Sequence, residues 1–148
     1  MSSETHRVNI ASDSIWEPLR GYSRAVKVGE SLFISGTTAM MPRGEVIGLG
    51  DAYQQTRYVI QVIGQVLRSA GFDFRDVVRT RLYITDISRW DEYARAHREV
   101  FEKIRPASSI VEVARLKDPR LMIEMEAEAL SGHRDIEAST MKYPEAVS

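Results

Sequence analysis

Hydrophobic and polar positions alternate most strictly between Arg105 and Leu130. Leu121, Ile123, Met125, Ala127 and Ala129 fall on one side of an extended backbone, and Met122, Glu124, Glu126 and Glu128 on the other, because successive strand side chains point to opposite faces. Just before them Ser109, Val111, Val113 and Arg115 oppose Ile110, Glu112 and Ala114. The spacing predicts two strands joined by a short turn at Lys117, Asp118, Pro119 and Arg120, with proline where no ladder donor is needed. One face of this pair is apolar, and the other carries Glu112, Glu124, Glu126 and Glu128. It is either the wet side of an antiparallel sheet or a surface that arginines or a second subunit must meet, since crowded carboxylates repel.

The rest of the chain supplies the other layer. Residues 1–19 are polar, with a short strand expected around Arg7–Ile10, and lie on the body of the fold without deciding its shape. The runs 23–29 and 31–35 predict a hairpin turned at Gly29 and Glu30, and Gly36, Thr37 and Thr38 at its end let a ligand or another backbone come close. Residues 39–50 read as a loop or a second small hairpin; their glycines have neither the dinucleotide nor the phosphate-loop spacing.

Two helices are expected. The first runs over 51–70, capped by Asp51 with Gln54 and stopped at Gly71, with Val59, Ile60, Ile63, Val66, Leu67 and Ala70 as its stripe and Gln54, Gln55, Arg57, Gln61, Gln65 and Arg68 solvated. The second begins at Asp86 or Ser88, runs to about Ile104, and has the stripe Trp90, Tyr93, Ala94, His97, Phe101 and Ile104. Between them 76–85 is a strand, with Val78, Thr80, Leu82 and Ile84 opposite Arg79, Arg81 and Tyr83. Two such helices cover one face of a sheet this size, so the prediction is a two-layer α+β domain. Its bare face sets Arg79, Arg81 and Tyr83 beside the four glutamates.

Composition narrows the chemistry. The 148 residues suit one domain, expected over 20–130 with an arm or disordered tail over 131–148. A net charge of -1 disfavours a general nucleic-acid binder, and the absence of cysteine removes disulfides, a thiol nucleophile and thiolate-bound metals. His6, His97 and His133 stand at no metal-binding spacing, and there is no G-x-S-x-G elbow. With neither an apolar leader nor a membrane-length run, the expected setting is the cytoplasm.

Several stretches together resemble the Rid family, also called the YjgF or L-PSP family. They are Gly21-Tyr22-Ser23, the LFISG run at 32–36, Ala70-Gly71 leading to Asp76-Val77-Val78, Tyr83-Ile84-Thr85-Asp86, Arg105-Pro106-Ala107-Ser108-Ser109, the run from Val111 to Leu116, and Ile123-Glu124-Met125-Glu126-Ala127. The resemblance implies a chorismate-mutase-like fold and a homotrimer with small-molecule sites in clefts between subunits. It further implies cofactor-free hydrolysis of reactive imines and enamines such as 2-aminoacrylate. Carried over by position, the catalytic glutamate is Glu126, the tyrosine Tyr22, and the loop Ser35, Gly36 and Thr37. Ser108 stands where the family has a carboxylate-clamping arginine, followed by Ser109, and Ala94 replaces a usual asparagine. A serine hydroxyl offers one neutral donor where a guanidinium offers a charged pair. That exchange costs on the order of 2 to 4 kcal/mol.

Three readings follow: a hydrolase or deaminase for a substrate other than 2-aminoacrylate, a non-catalytic ligand-binding or regulatory trimer, and, weakest, a ribonuclease or translation inhibitor. Under the first, Glu126 handles water, Ser108, Ser109 and the Gly36–Thr37 backbone orient the ligand, and Arg24, Arg81 or Arg120 from a neighbouring subunit replaces the lost clamp.

Overall fold

The computed structural model describes residues 5–133 and 140–143. Six strands form one sheet: β1 (Arg7–Ile10), β2 (Ala25–Val28), β3 (Ser31–Thr38), β4 (Val77–Ile84), β5 (Ala107–Glu112) and β6 (Ile123–Leu130). Three helices accompany them: α1 (Trp16–Arg20), α2 (Ala52–Ser69) and α3 (Trp90–Phe101). The sheet order is β1-β2-β3-β6-β4-β5, antiparallel except where β5 runs parallel to β4. Leu32, Ile34, Ile123 and Met125 of the sheet pack against Val59, Ile63 and Leu67 of α2 and Tyr93 and Phe101 of α3. This is the expected two-layer α+β arrangement.

Local chemistry accounts for the elements read correctly. Asp51 accepts the Gln54 amide at 2.9 Å to start α2, and Gly71, at φ 83°, takes the chain out of it. Val28 pairs with Ser31 around Gly29 and Glu30, so β2 and β3 form the tight hairpin expected. Residues 39–50 close through a single bridge between Met40 and Val46.

The two carboxylate-bearing strands are not hairpin partners. β4 lies between β5 and β6, and residues 113–122 cross over it instead of making a short turn. Glu112 consequently leaves the acid face. It pairs with Ile84 on the helix side and accepts the Ile87 amide at 2.9 Å. A register shift between Val77 and Arg79 reverses the start of β4, leaving Val77 2% and Val78 45% exposed.

The second helix starts later than expected. Asp86 caps a 3-10 turn at Ile87–Arg89, and Trp90 stands half exposed at the start of α3. Gln55, expected in solvent, is fully buried. Its amide donates to Gly48 O (3.2 Å) and Arg120 O (2.9 Å), and its oxygen accepts the Met122 amide at 2.8 Å. A buried amide satisfied three times is a structural tie: it fastens the 113–122 crossover to α2.

The bare sheet face carries the charge lattice expected of it. Arg81 Nη1 lies 2.9 Å from Glu128 Oε1 and 3.6 Å from Glu126 Oε2, and Arg79 Nε lies 3.9 Å from Glu128 Oε2. Phe33 and Val111 stand half exposed on the same face.

Candidate functional site

Between Ile34 and Thr37 the β3–β6 register shifts, so Ser35 and Gly36 together oppose Glu126. Such a bulge re-aims the side chains beside it. Glu124 leans over Gly36 so closely that a Cβ there would lie 2.8 Å from the Glu124 carboxyl carbon, so a larger residue would displace the acid. Arg24, one residue before β2, donates from Nη2 to Ser35 O (2.8 Å) and Gly36 O (2.7 Å) and braces the bulge from the other side. Ser35 Oγ donates to Ser23 O at 2.7 Å, and Thr37 Oγ1 to Ser35 O at 2.9 Å.

A cavity of about 1030 Å³ opens beside this bulge. Tyr22, Arg24, Gly36, Thr37 and Glu124 line it, and the crossover contributes Leu116, Lys117 and Leu121. Trp16 and Arg20 of α1 form another wall. Arg20 sits 4.0 Å over the Tyr22 ring and Lys117 2.9 Å over the Trp16 ring. Glu17 anchors α1 from inside: it is buried and accepts hydrogen bonds from the Ser12 amide (3.0 Å) and hydroxyl.

Burial pushes the Glu124 carboxyl above its usual range, the neighbouring Glu126 adds to this, and Arg20, Arg24 and Lys117 partly oppose it. Burial likewise lowers Arg24, and Lys117 is lowered by desolvation and then by Arg20.

The residues expected to form the site are therefore divided. Tyr22, Gly36 and Thr37 share the cavity. Ser35 builds the bulge behind it. Glu126 belongs to the bare-face lattice, where it touches Arg81 and raises the Tyr83 hydroxyl, chiefly by a hydrogen bond. Ser108 faces the helix layer at the opposite end of the sheet: Thr80 Oγ1 lies 2.7 Å from Ser108 Oγ and 2.9 Å from His97 Nε2. Ser109 points to the other face, paired in register with Arg81.

Of the arginines weighed as a substitute clamp, Arg24 alone lines the cavity. Arg81 is held by Glu128, and Arg120 by Asp118, whose carboxyl the guanidinium lowers to about 2. Sequence reasoning missed Glu124, Arg20, Trp16 and Lys117. Only Glu124 had a signal, since it lies on the same strand face as Glu126. No group of three or more His, Cys, Asp or Glu able to hold a metal occurs among the described residues.

Comparison with known proteins places this geometry in a family. The model for endoribonuclease L-PSP matches residues 13–131. The crystal structure of Rv2704 from Mycobacterium tuberculosis, a YjgF/YER057c/UK114 family member, superposes with a TM-score of 0.77 at 42% identity, covering 85% of this chain and 100% of that one. Human 2-iminobutanoate/2-iminopropanoate deaminase is 32% identical over 112 residues, 75% of this chain and 80% of its own length. The 3-aminoacrylate deaminase RutC of Acinetobacter baylyi is 31% identical over 108 residues, 73% of this chain and 85% of its own. The chain belongs to the family described as endoribonuclease L-PSP, the Rid or YjgF proteins, and has their α+β fold.

Proposed function

We propose that the protein is a cofactor-free hydrolase of a carboxylate-bearing imine or enamine other than 2-aminoacrylate, acting as a homotrimer whose clefts form where bare sheet faces meet neighbouring subunits. One observation carries the reading: Glu124, desolvated and raised, shares a cavity with Tyr22, Arg24 and the Gly36–Thr37 bulge. A carboxylate whose pKa is raised by burial is a stronger base than an exposed one.

In this scheme Glu124 takes a proton from water as the water oxygen bonds to the imine carbon and the C=N electron pair moves to nitrogen. Proton return through the same carboxyl lets the C–N bond break. The same carboxyl then passes the hydroxyl proton to that nitrogen as the carbonyl forms, and ammonia leaves. The relatives named as deaminases support the reaction class, and Ser108 in place of an arginine supports a different substrate. In this reading the base is Glu124 in preference to Glu126 because Glu124 lines the cavity and Glu126 lies outside its lining.

The test is ammonia release from freshly generated imines by wild type and Glu124→Gln, with sedimentation to fix the assembly. Turnover that the substitution abolishes supports the proposal, as does a trimer at micromolar concentration. No turnover of any imine by a protein that small carboxylic acids still stabilise would favour the non-catalytic ligand-binding reading, which the loss of an arginine at position 108 also allows.

A further inference from the structure

Most basic residues have no carboxylate within 4.0 Å among the described residues, and what sets Arg20, Arg24 and Lys117 apart is that they line one cavity. Arg75, Arg79, Arg81, Arg89 and Arg120 each lie within 4.0 Å of a carboxylate. Arg20, Arg24 and Lys117, which line the cavity together, have no such partner among the described residues. Two of them rest on aromatic faces, a contact that positions a cation without cancelling its charge. Arg24 is tied only to backbone carbonyls through Nη2, and its Nε is buried without a hydrogen-bond partner. Arg20 and Lys117 are exposed and Arg24 half-buried, and like charges gathered this way repel: desolvation first and then Arg20 lower Lys117. A bound anion would relieve that repulsion. The carboxylates on the same wall, Glu124 and Asp13, leave the set with an excess of cations.

The size and wall chemistry of the cavity narrow the anion further. At about 1030 Å³ it lies at the upper end of pockets that hold drug-sized ligands, far beyond a three-carbon acid. The lining also carries apolar and aromatic residues, Met40, Met41, Tyr58, Leu116 and Leu121 among them. Methionines adapt to the outline of a flat ring, and aromatic walls reward its burial.

We propose that this cavity selects a carboxylate joined to a flat, apolar body of aryl size, with Arg24, Arg20 and Lys117 as the anion clamp that position 108 no longer supplies. The inference rests on the cavity being the ligand site of the proposed function, and it specifies the substrate class: aryl-substituted 2-imino or 2-oxo acids over short-chain ones.

A calorimetric titration with stable probes separates this from the hydrolase reading. Indole-3-acetate, acetate and the uncharged indole-3-acetamide are titrated into the full-length protein at fixed ionic strength. Indole-3-acetate is expected to bind at least about tenfold tighter than either of the others, since one charge-assisted contact or one buried ring is each worth that much. Arg20→Gln with Lys117→Gln, both exposed positions, is expected to remove about tenfold of that affinity while leaving the melting temperature unchanged. Arg24→Gln is expected to remove as much again, and the double variant decides the matter if losing the bonds to Ser35 and Gly36 unfolds that protein.

Equal binding of indole-3-acetate and acetate, equal binding of the acid and its amide, or an unchanged affinity in the double variant overturns the proposal. Imine hydrolysis alongside any of these leaves the hydrolase reading intact. Selective binding without hydrolysis of any imine sinks that reading and keeps this one.

Discussion

At the β5 edge the polar groups are neutral and satisfy one another, whereas at the β3–β6 bulge they are charged, with three cations set against Glu124 and Asp13. Ser108, Thr80 and His97 form a chain of two hydrogen bonds beside Phe101, and burial keeps the imidazole below its ordinary pKa. Around Glu124 burial and then Glu126 drive the carboxyl up, while the cations Arg20, Arg24 and Lys117 gather and partly hold it down. A serine at position 108 therefore does not leave the molecule without a cluster of positive charge. Ser108 closes a quiet polar network, and the cationic cavity lies across the sheet.

The comparison predicts unequal roles for two glutamates of one strand. Glu124→Gln is expected to lower imine turnover by about 10²- to 10⁴-fold, the usual weight of a positioned acid–base group, whereas Glu126→Gln changes it less than about tenfold. Steady-state ammonia release measures both. Because Glu126 is the second cause holding the Glu124 carboxyl up, Glu126→Gln should also move the acidic limb of the rate profile to lower pH. A larger loss at 126 than at 124 would put the chemistry on the bare face and break the comparison.

Ser108→Arg is the next test in size. If position 108 lacks only its cation, this substitution should raise 2-aminoacrylate deamination roughly ten- to a hundredfold over wild type, as one regained bidentate contact allows. A gain without any change in indole-3-acetate affinity would show the two regions to be independent. A loss of that affinity would show that they meet in one cleft.

Much of the fold was legible, because its cues are local. The alternation from Leu121 to Ala129 survives intact as buried and half-buried positions, and Asp51 and Gly71 bracket α2 as their chemistry dictates. Strand order was not legible. Nothing between Glu112 and Ile123 announces that β4 will separate β5 from β6, since pairing is settled by which edges remain free once α2 and α3 have packed. The Val77–Arg79 shift and the burial of Gln55 were hidden for the same reason: one extra residue or one distant carbonyl decides them.

The site was half legible. Tyr22, Gly36 and Thr37 sit in motif stretches, but the choice between Glu124 and Glu126 depended on the bulge opposite Glu126. Lys117 reads as part of a turn until Gln55 ties the crossover down and sets its ammonium over Trp16.

Thr80→Val probes the neutral side. The valine keeps the shape and removes the hydroxyl that contacts both His97 Nε2 and Ser108 Oγ, so about 1–3 kcal/mol of stability should go with the stranded partners. Urea denaturation reads the loss. Unchanged carboxylate binding in the same variant would confirm that this network and the charged cavity are separate.

The smallest effect is a pH dependence of stability carried by His97. Burial lowers its pKa in the folded chain, while the unfolded chain titrates near the ordinary value of about 6.5. Above that pH the ring is neutral in both states and contributes nothing. As pH falls through it, the unfolded chain binds the proton first, and stability declines until the folded ring protonates as well. His97→Gln, whose amide can still reach Thr80, should lose this component. Paired urea titrations from pH 8 to pH 5 would then show a stability difference that is level above about 6.5 and shifts in favour of the variant below it. A level difference across the whole range would mean that the imidazole is not held neutral beside Thr80, and the contrast between a quiet edge and a charged bulge would fail at its quiet end.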